Sequence, residues 1–259
     1  MNQAIRFVLI AAGACLLALA AGCAEPTAPR TDEPSTTATP VATLPAEPAT
    51  QPAKVPATQP TTRPGRYYSS ASSIVYLVDR SGSMAPIFQE IQREILISLA
   101  RLEPTCDFTI IYFGDNGYIQ GPRRMLIGAT LENKIEANRF LRDIAASGST
   151  AALPALVRAF QVLKYGDARK RGRLVYLISD GDFAGLAGGS RYTTAGGKKL
   201  DGNEAVLQWL RDNNPKKERK GLAHINTYLF GEPEEEAVKV MKAIAAENGG
   251  CFKHVAPDE

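Results

Sequence analysis

The sequence predicts an α/β fold in which a doubly wound, mostly parallel sheet is flanked by helices, with one antiparallel strand at its edge. Two observations lead to this prediction. Short apolar segments with the length of strands alternate with amphipathic segments that have the length of helices. The apolar segments are almost continuously hydrophobic, which is typical of strands covered on both faces of a parallel sheet. The patterned part of the chain is long enough for one well-packed domain.

The first half of this region begins with an apolar strand at residues 73–79. A helix at 86–102 follows, because isoleucine and leucine recur there every four residues and Pro86 suits a first helical turn. A second apolar strand at 107–113 ends in Gly-Asp-Asn-Gly, which is a turn signal. Two short segments after it predict a hairpin or an edge strand, at residues 118–120 and 125–127.

The second half repeats the alternation of helices and strands. A helix is predicted at 131–146, and the apolar side chains available for its buried face are Leu131, Ile135, Phe140, Leu141 and Ile144. The helix at 152–165 has a proline in its first turn, and the helix at 234–247 begins after a proline and stops at Asn-Gly-Gly. The remaining elements are a helix at 202–211 and strands at 174–179, 225–230 and 251–255.

The first quarter of the chain has a different composition. Residues 1–22 have the features of an export signal, with a basic residue, a short apolar stretch and small residues before Cys23. The Ala-Gly-Cys ending resembles the bacterial lipoprotein signal, in which the cysteine is lipidated; an ordinary signal peptide with an incidental cysteine is the alternative. Residues 23–66 are rich in Pro, Thr and Ala and predict a disordered tether, and residues 67–259 predict the folded domain. We therefore expect an exported protein that is lipid-anchored in the bacterial cell envelope, on the outer-membrane, periplasmic or surface side.

Charge and cysteine usage exclude several classes of function. The net charge of +3 is too small to indicate a nucleic-acid partner, and the basic clusters lack the interleaved aromatic residues that bind single strands. The sequence has no CxxC motif and no Cys/His cluster at zinc spacing. Cys106 and Cys251 lie at the starts of strands that this fold places far apart, so we expect two buried thiols rather than a disulfide.

The side chains that carry chemistry follow the ends of strands. Asp79, Ser81 and Ser83 form an Asp-x-Ser-x-Ser turn directly after the first strand. Thr150 lies between two predicted helices, and Asp180 follows the strand at 174–179. All five are hard oxygen donors, the ligand type that Mg²⁺, Mn²⁺ and Ca²⁺ prefer. If the first and third strong strands are neighbours, one ion could contact these side chains, although each alone could equally serve a turn or a helix cap.

The five residues, in this order and context, resemble the metal-ion-dependent adhesion site of the von Willebrand factor type A domain. The second segment has Gly-Ser-Thr where the family usually has Gly-Gly-Thr. The resemblance implies a non-enzymatic domain that binds Mg²⁺, or alternatively Mn²⁺ or Ca²⁺. It also implies an unidentified protein partner that offers an Asp or Glu carboxylate to the ion, with no nucleic acid and no small-molecule substrate. The metal ligands that it implies are Asp79, Ser81, Ser83, Thr150 and Asp180.

Two other functions stay open. A phosphotransferase of the haloacid dehalogenase type also has an aspartate after its first strand, but Ser81 stands where its second aspartate would act as general acid. The domain could instead be a scaffold that uses a metal-independent face.

A glycine-rich segment at 182–199 follows Asp180 and is expected to lie beside the metal. Its side chains Phe183, Arg191 and Tyr192 are candidates for an exposed, partner-specific contact surface. The alternative is a flexible insertion without a role.

Overall fold

The computed structural model describes residues 71–114, 117–167, 172–183, 190–214, 223–232 and 234–255. The predicted signal at 1–22, the predicted lipidation site Cys23 and the predicted tether at 23–66 therefore lie outside the described residues. In the ranges that are described, no helix has both the length and the apolar character needed to cross a membrane.

Strands and helices alternate along the described ranges. The strands are β1 (Ser73–Asp79), β2 (Asp107–Gly114), β3 (Gly117–Gly121), β4 (Ile127–Gly128), β5 (Arg173–Ser179), β6 (Arg191–Thr193), β7 (Lys199–Asp201), β8 (Ala223–Phe230) and β9 (Phe252–Val255). The helices are α1 (Phe88–Arg101), α2 (Leu131–Asp143), α3 (Ala152–Tyr165), α4 (Gly202–Asn213) and α5 (Glu235–Glu247).

The main sheet has the strand order β3-β2-β1-β5-β8-β9, and β4 also pairs with β2. Strands β1, β2, β5, β8 and β9 are parallel, whereas β3 and β4 run antiparallel to β2. This confirms the predicted fold class and its antiparallel edge. The chain runs outward from β1 in one direction to β2 and in the other to β5, so the strand order reverses between β1 and β5. In such sheets, ligands bind beyond the carboxyl ends of the strands at this reversal.

Helices cover both faces of the sheet and form two cores. Helices α3, α4 and α5 pack on one face, against side chains such as Val75 and Leu177. Helices α1 and α2 pack on the other face, against side chains such as Tyr76 and Ile178. Alternate residues of a strand point to opposite faces of the sheet, and helices cover both faces. Every residue of β1 is therefore buried, which explains its continuous apolar sequence.

Several predicted elements differ from the observed ones. The residues from Gly82 to Ile87 form a 3₁₀ turn that includes Pro86, so helix α1 begins only at Phe88. Helix α2 ends at Asp143, and its phase directs Ala137 and Leu141 inward. The prediction that Leu131 and Ile135 are buried was therefore wrong, because that phase leaves both side chains exposed. The short antiparallel pair β6–β7 was not predicted at all.

The two thiols of the domain are free, as the sequence predicted. Cys106 precedes β2 and Cys251 precedes β9, and these strands are separated by three others in the sheet. Both residues are only half-buried, so the expectation of buried thiols was wrong. Each lies just before its strand rather than inside it.

Gly181 fixes the turn that follows Asp180, and we expect Gly181→Ala to be destabilising. Its φ is +84°, and a Cβ there would lie 2.7 Å from the Cβ of Ala237 and 2.9 Å from the Cδ1 of Leu229. Strain and overpacking together should lower the free energy of unfolding by about 2–3 kcal/mol, measured by urea denaturation. The control is Gly117→Ala, whose Cβ would meet nothing within 4 Å. Equal stability of the two variants would contradict the expectation.

Candidate metal centre

Two carboxylates emerge side by side where the strand order reverses. Asp79 is the last residue of β1, and Asp180 directly follows β5. The two strands pair in parallel with Val78 opposite Ile178, so Ser179 stands level with Asp79 and Asp180 follows one position later at the same edge of the sheet. Neighbouring strands are about 4.8 Å apart. The expectation that β1 and β5 are neighbours is confirmed, and with it the proximity of the two aspartates.

Asp79 lies at the buried end of this cluster. Its carboxylate is fully shielded from solvent. Its Oδ1 accepts a hydrogen bond from the backbone N–H of Ser81 at 2.8 Å, and its Oδ2 accepts one from the Ser179 hydroxyl, also at 2.8 Å. Burial raises the pKa of Asp79 to about 7; the hydrogen bond from Ser81 opposes this rise, and the negative charge of Asp180 adds to it. A buried carboxylate that faces a second carboxylate is stabilised by a bound cation, so the residues fit a metal ion.

The two serine hydroxyls link Asp79 to Asp180. The Oγ atoms of Ser81 and Ser83 are 3.0 Å apart, and the Ser83 hydroxyl donates to Oδ2 of Asp180. Ser81 is buried, whereas Ser83 is exposed and Asp180 is half-exposed. The cluster is therefore closed at Asp79 and Ser81 and open to solvent at Ser83 and Asp180.

The segment that carries Thr150 docks against this turn. The backbone N–H of Gly82 donates to the carbonyl of Gly148 at 3.0 Å, and the N–H of Ser147 donates to the carbonyl of Arg80 at 2.6 Å. Thr150 follows within three residues and is buried. The structure thus brings together the three segments in which the sequence placed its five candidate ligands.

In the described part of the chain, no group of three or more His, Cys, Asp and Glu residues is arranged to hold a metal ion. The cluster at the strand ends has only two carboxylates and depends on hydroxyl oxygens. The ring nitrogens of His224 and His254 lie within hydrogen-bond distance of the carbonyls of Gly249 and Gly231, at 3.1 and 2.9 Å.

The glycine-rich segment after Asp180 differs from its prediction. Phe183 is fully buried, and its ring packs against Phe113 with 6.5 Å between the ring centroids. The interpretation of Phe183 as an exposed partner contact was therefore wrong, because its ring completes the core beneath the site. Arg191 is exposed, and the half-buried Tyr192 donates its hydroxyl to Asp212 at 2.8 Å. Residues 184–189 lie outside the described residues.

Sequence reasoning missed two residues that build the site. The hydroxyl of Ser179 lies between the two aspartates, and it also accepts a hydrogen bond from the N–H of Gly181 at 3.0 Å. Arg80 links the Asp-x-Ser-x-Ser turn to the segment before Thr150. A hydroxyl residue directly before a strand-end aspartate was a usable signal for Ser179. Nothing in the local sequence pointed to the partner of Arg80.

Comparison with known proteins identifies similar domains. A family model described as the von Willebrand factor type A domain matches residues 74–183. The chain is 32% identical over 116 residues to inter-alpha-trypsin inhibitor heavy chain H4 of Homo sapiens, covering 42% of this chain and 12% of that protein. It is 30% identical over 112 residues to human von Willebrand factor A domain-containing protein 3A, covering 42% of this chain and 9% of that protein. The chain spans about a tenth of the length of these curated relatives.

Solved structures show the same fold. A structure described as von Willebrand factor type A from Catenulispora acidiphila matches with a TM-score of 0.55 at 18% identity, covering 73% of this chain and 39% of that one. The open conformation of the pilus adhesin SpaC from Lactobacillus rhamnosus GG matches with a TM-score of 0.56 at 15% identity, covering 74% of this chain and 28% of that one.

The raised pKa of Asp79 predicts how stability depends on pH without metal. The unfolded chain has an ordinary aspartate pKa near 4, so between about pH 4 and 7 the folded protein binds more protons than the unfolded one. The free energy of unfolding should therefore fall as pH rises through this window. Asp79→Asn removes the buried charge and should flatten this part of the curve.

The measurement is the thermal unfolding midpoint in EDTA from pH 4 to 8. The control is Asp143→Asn, an exposed aspartate at the end of α2, which should follow the parent protein. Parallel curves for the parent protein and Asp79→Asn would contradict the assignment.

Proposed function

The chain contains a von Willebrand factor type A domain, and from this premise we propose that it binds a partner protein through a divalent cation. Domains of this family generally act in protein interaction rather than catalysis. The proposed ligands are Asp79, Ser81, Ser83, Thr150 and Asp180. We propose Mg²⁺ as the ion, with Mn²⁺ or Ca²⁺ as substitutes.

One observation supports this proposal most directly. The hydroxyl of Ser83 meets the carboxylate of Asp180, although 97 positions separate them in the sequence. Ser83 also lies within hydrogen-bond distance of Ser81, which belongs to the same turn as the buried Asp79. Polar oxygens from distant segments meet at the end of the sheet, where the packing of the hydrophobic core does not need them. This end lies at the reversal of strand order, which is where ligands of such sheets bind.

The donor set suits an ion that must accept a further ligand. When bound, the cation would act as an electrophile for a partner's Asp or Glu carboxylate. The three hydroxyls are neutral, so the two aspartates supply all of the negative charge. Asp79 and Ser81 would hold the ion from the buried side, while Ser83 and Asp180 leave the solvent side open.

We further propose that the domain is attached to a membrane. The export-signal features of residues 1–22 and the Ala-Gly-Cys sequence support lipidation at Cys23. The Pro/Thr/Ala-rich residues 23–66 would then tether the domain to the bacterial cell envelope. Under this proposal the site would lie outside the cytoplasm, where a partner on the surface or in the envelope could reach it.

The phosphotransferase alternative has no support in the site geometry. A second aspartate would be needed two positions after Asp79, and Ser81 stands there with its hydroxyl beside Ser83. Use of a metal-independent face remains an outcome that the following experiment can reveal.

Removing exposed ligands should weaken metal binding and thereby prevent capture of the partner. We expect Asp180→Ala and Ser83→Ala to weaken Mn²⁺ binding, followed by electron paramagnetic resonance, by at least about tenfold. Both side chains are partly or fully exposed, so the fold should persist. Asp143→Ala is the charge-matched control and should bind Mn²⁺ as the parent protein does.

The same variants serve in a pull-down from envelope extract with Mg²⁺ or EDTA. We expect capture by the parent protein and by Asp143→Ala only with Mg²⁺, and no capture by the two ligand variants. Capture that survives EDTA would indicate the metal-independent face. Mg²⁺-dependent hydrolysis of an aryl phosphate that is lost in Asp79→Asn would indicate the enzyme.

The lipid anchor is tested by Cys23→Ser. We expect this variant to lose incorporation of radiolabelled palmitate and to leave the membrane fraction of a bacterial host. The matched control is Cys15→Ser, because Cys15 lies within the predicted signal and would be removed with it. Retention of label by Cys23→Ser would show that the anchor assignment is wrong.

A further inference from the structure

We propose that Arg80 is a positioning residue that holds the segment carrying Thr150 and thereby sets the affinity of the site for a divalent cation. This inference rests on the proposed function. Arg80 occupies the variable position between Asp79 and Ser81, where the motif itself demands no particular side chain. A guanidinium has no acceptor atom and carries a positive charge, so Arg80 is not itself a metal ligand.

The side chain of Arg80 crosses from the first segment to the second. Its Nη1 donates to the hydroxyl of Ser147 at 2.7 Å and to the carbonyl of Ala145 at 3.3 Å. Its backbone takes part in the same junction: the N–H donates to the carbonyl of Phe113 at 2.9 Å, and the carbonyl accepts from the N–H of Ser147 at 2.6 Å. Arg80 is therefore fixed to strand β2 on one side and to residues 145–147 on the other.

The space for this side chain is built into strand β2. Gly114 ends the strand, and a Cβ there would lie 3.0 Å from the Cγ of Arg80 and 3.4 Å from the carbonyl oxygen of Ser147. The absence of a side chain at Gly114 lets the arginine stem and the second segment approach each other closely. This close contact is a separate observation from the hydrogen bonds, and it also brings together strand β2, Arg80 and Ser147.

The held segment has little regular structure of its own. Residues 144–151 join α2 to α3 without helix or strand, so their placement depends on bonds to other parts of the domain. Beyond Thr150, the Oγ of Ser190 accepts a hydrogen bond from the N–H of Leu153 at 3.2 Å and fixes the first turn of α3. Before Thr150, the segment is held by the backbone bonds of Gly82 to Gly148 and of Ser147 to Arg80, and by a hydrogen bond from Gln92 to the carbonyl of Ile144 at 2.9 Å. The side chain of Arg80 adds charge-assisted hydrogen bonds, which are stronger than neutral ones.

Position matters here because the hydroxyl of Thr150 is a neutral and therefore weak ligand. A shift of the segment would cost the ion one of its donors without changing the two carboxylates. Groups that orient the ligands of a metal typically alter its affinity by about 10–100-fold when removed. Because Arg80 is only half-buried, we expect an effect at the lower end of that range.

The test is a Mn²⁺ titration of the full chain, followed by electron paramagnetic resonance. Arg80→Met keeps the stem and removes the donors, and should weaken Mn²⁺ binding about tenfold. Arg80→Lys should recover part of the affinity, because an ammonium can still donate to Ser147 or Ala145 but without the planar fork. Arg142→Met, an exposed arginine at the end of α2, is the control and should bind as the parent protein does.

The outcomes separate this inference from the function on which it rests. A parent protein that binds no Mn²⁺ would overturn both. If the parent protein binds Mn²⁺ and the affinity of Arg80→Met is within twofold of the parent's, the positioning role alone is overturned. This holds even if the metal-free variant melts at a lower temperature. If Arg80→Met fails to fold, Ser147→Ala takes its place in the Mn²⁺ titration and is judged by the same twofold threshold. This variant removes the exposed hydroxyl that accepts from Arg80 and leaves Arg80 itself unchanged.

Discussion

The parallel pairing of β1 with β5 is the constraint on which the site depends. Because Val78 lies opposite Ile178, Ser179 stands level with Asp79 and Asp180 follows one position later, so both aspartates lie at one edge of the sheet, and Asp79 is fully shielded from water. Burial and the neighbouring charge of Asp180 both disfavour the ionised form of Asp79. The hydrogen bond from the N–H of Ser81 stabilises that form but offsets only part of this effect. Such an arrangement lowers the stability of the metal-free domain at neutral pH, and a cation removes that penalty. A core serving only the fold would place an apolar residue there.

The sequence was informative where a residue's role follows from its own strand or turn. Asp79 ends a continuous apolar run, and a parallel sheet places the ends of such runs at one edge, so both the fold and the meeting of Asp79 with Asp180 could be predicted. The role of Arg80 could not, because its partner Ser147 is 67 positions away and the register of an irregular segment has no local signal. Phe183 was misjudged for the same reason: a glycine-rich neighbourhood indicates exposure, but its packing is decided by Phe113 on another strand.

Phe183 and Ser190 are the described residues on either side of positions 184–189, and both are bound to the start of α4. The N–H of Phe183 donates to Asn203 in α4 at 3.2 Å, and the N–H of Gly202 donates to the carbonyl of Ser190 at 2.7 Å. Ser190 also bonds to the first turn of α3. The exposed Arg191 follows Ser190 directly. A contact surface formed by Arg191 and Tyr192 would therefore be supported, through Ser190, by the first turn of α3, which follows Thr150.

The distribution of burial within the site decides how a partner could approach it. Asp79 and Ser81 form the closed side, and a third carboxylate in place of Ser81 would add a buried charge while neutralising the ion. Ser83 and Asp180 form the open side, where an incoming carboxylate would remain partly solvated until it reached the ion. If the proposed ion binds here, serine hydroxyls at positions 81 and 83 would leave its net charge available on the solvent side only. Such a site would select for an acidic group presented on a protruding part of the partner, because the buried side offers no route of access.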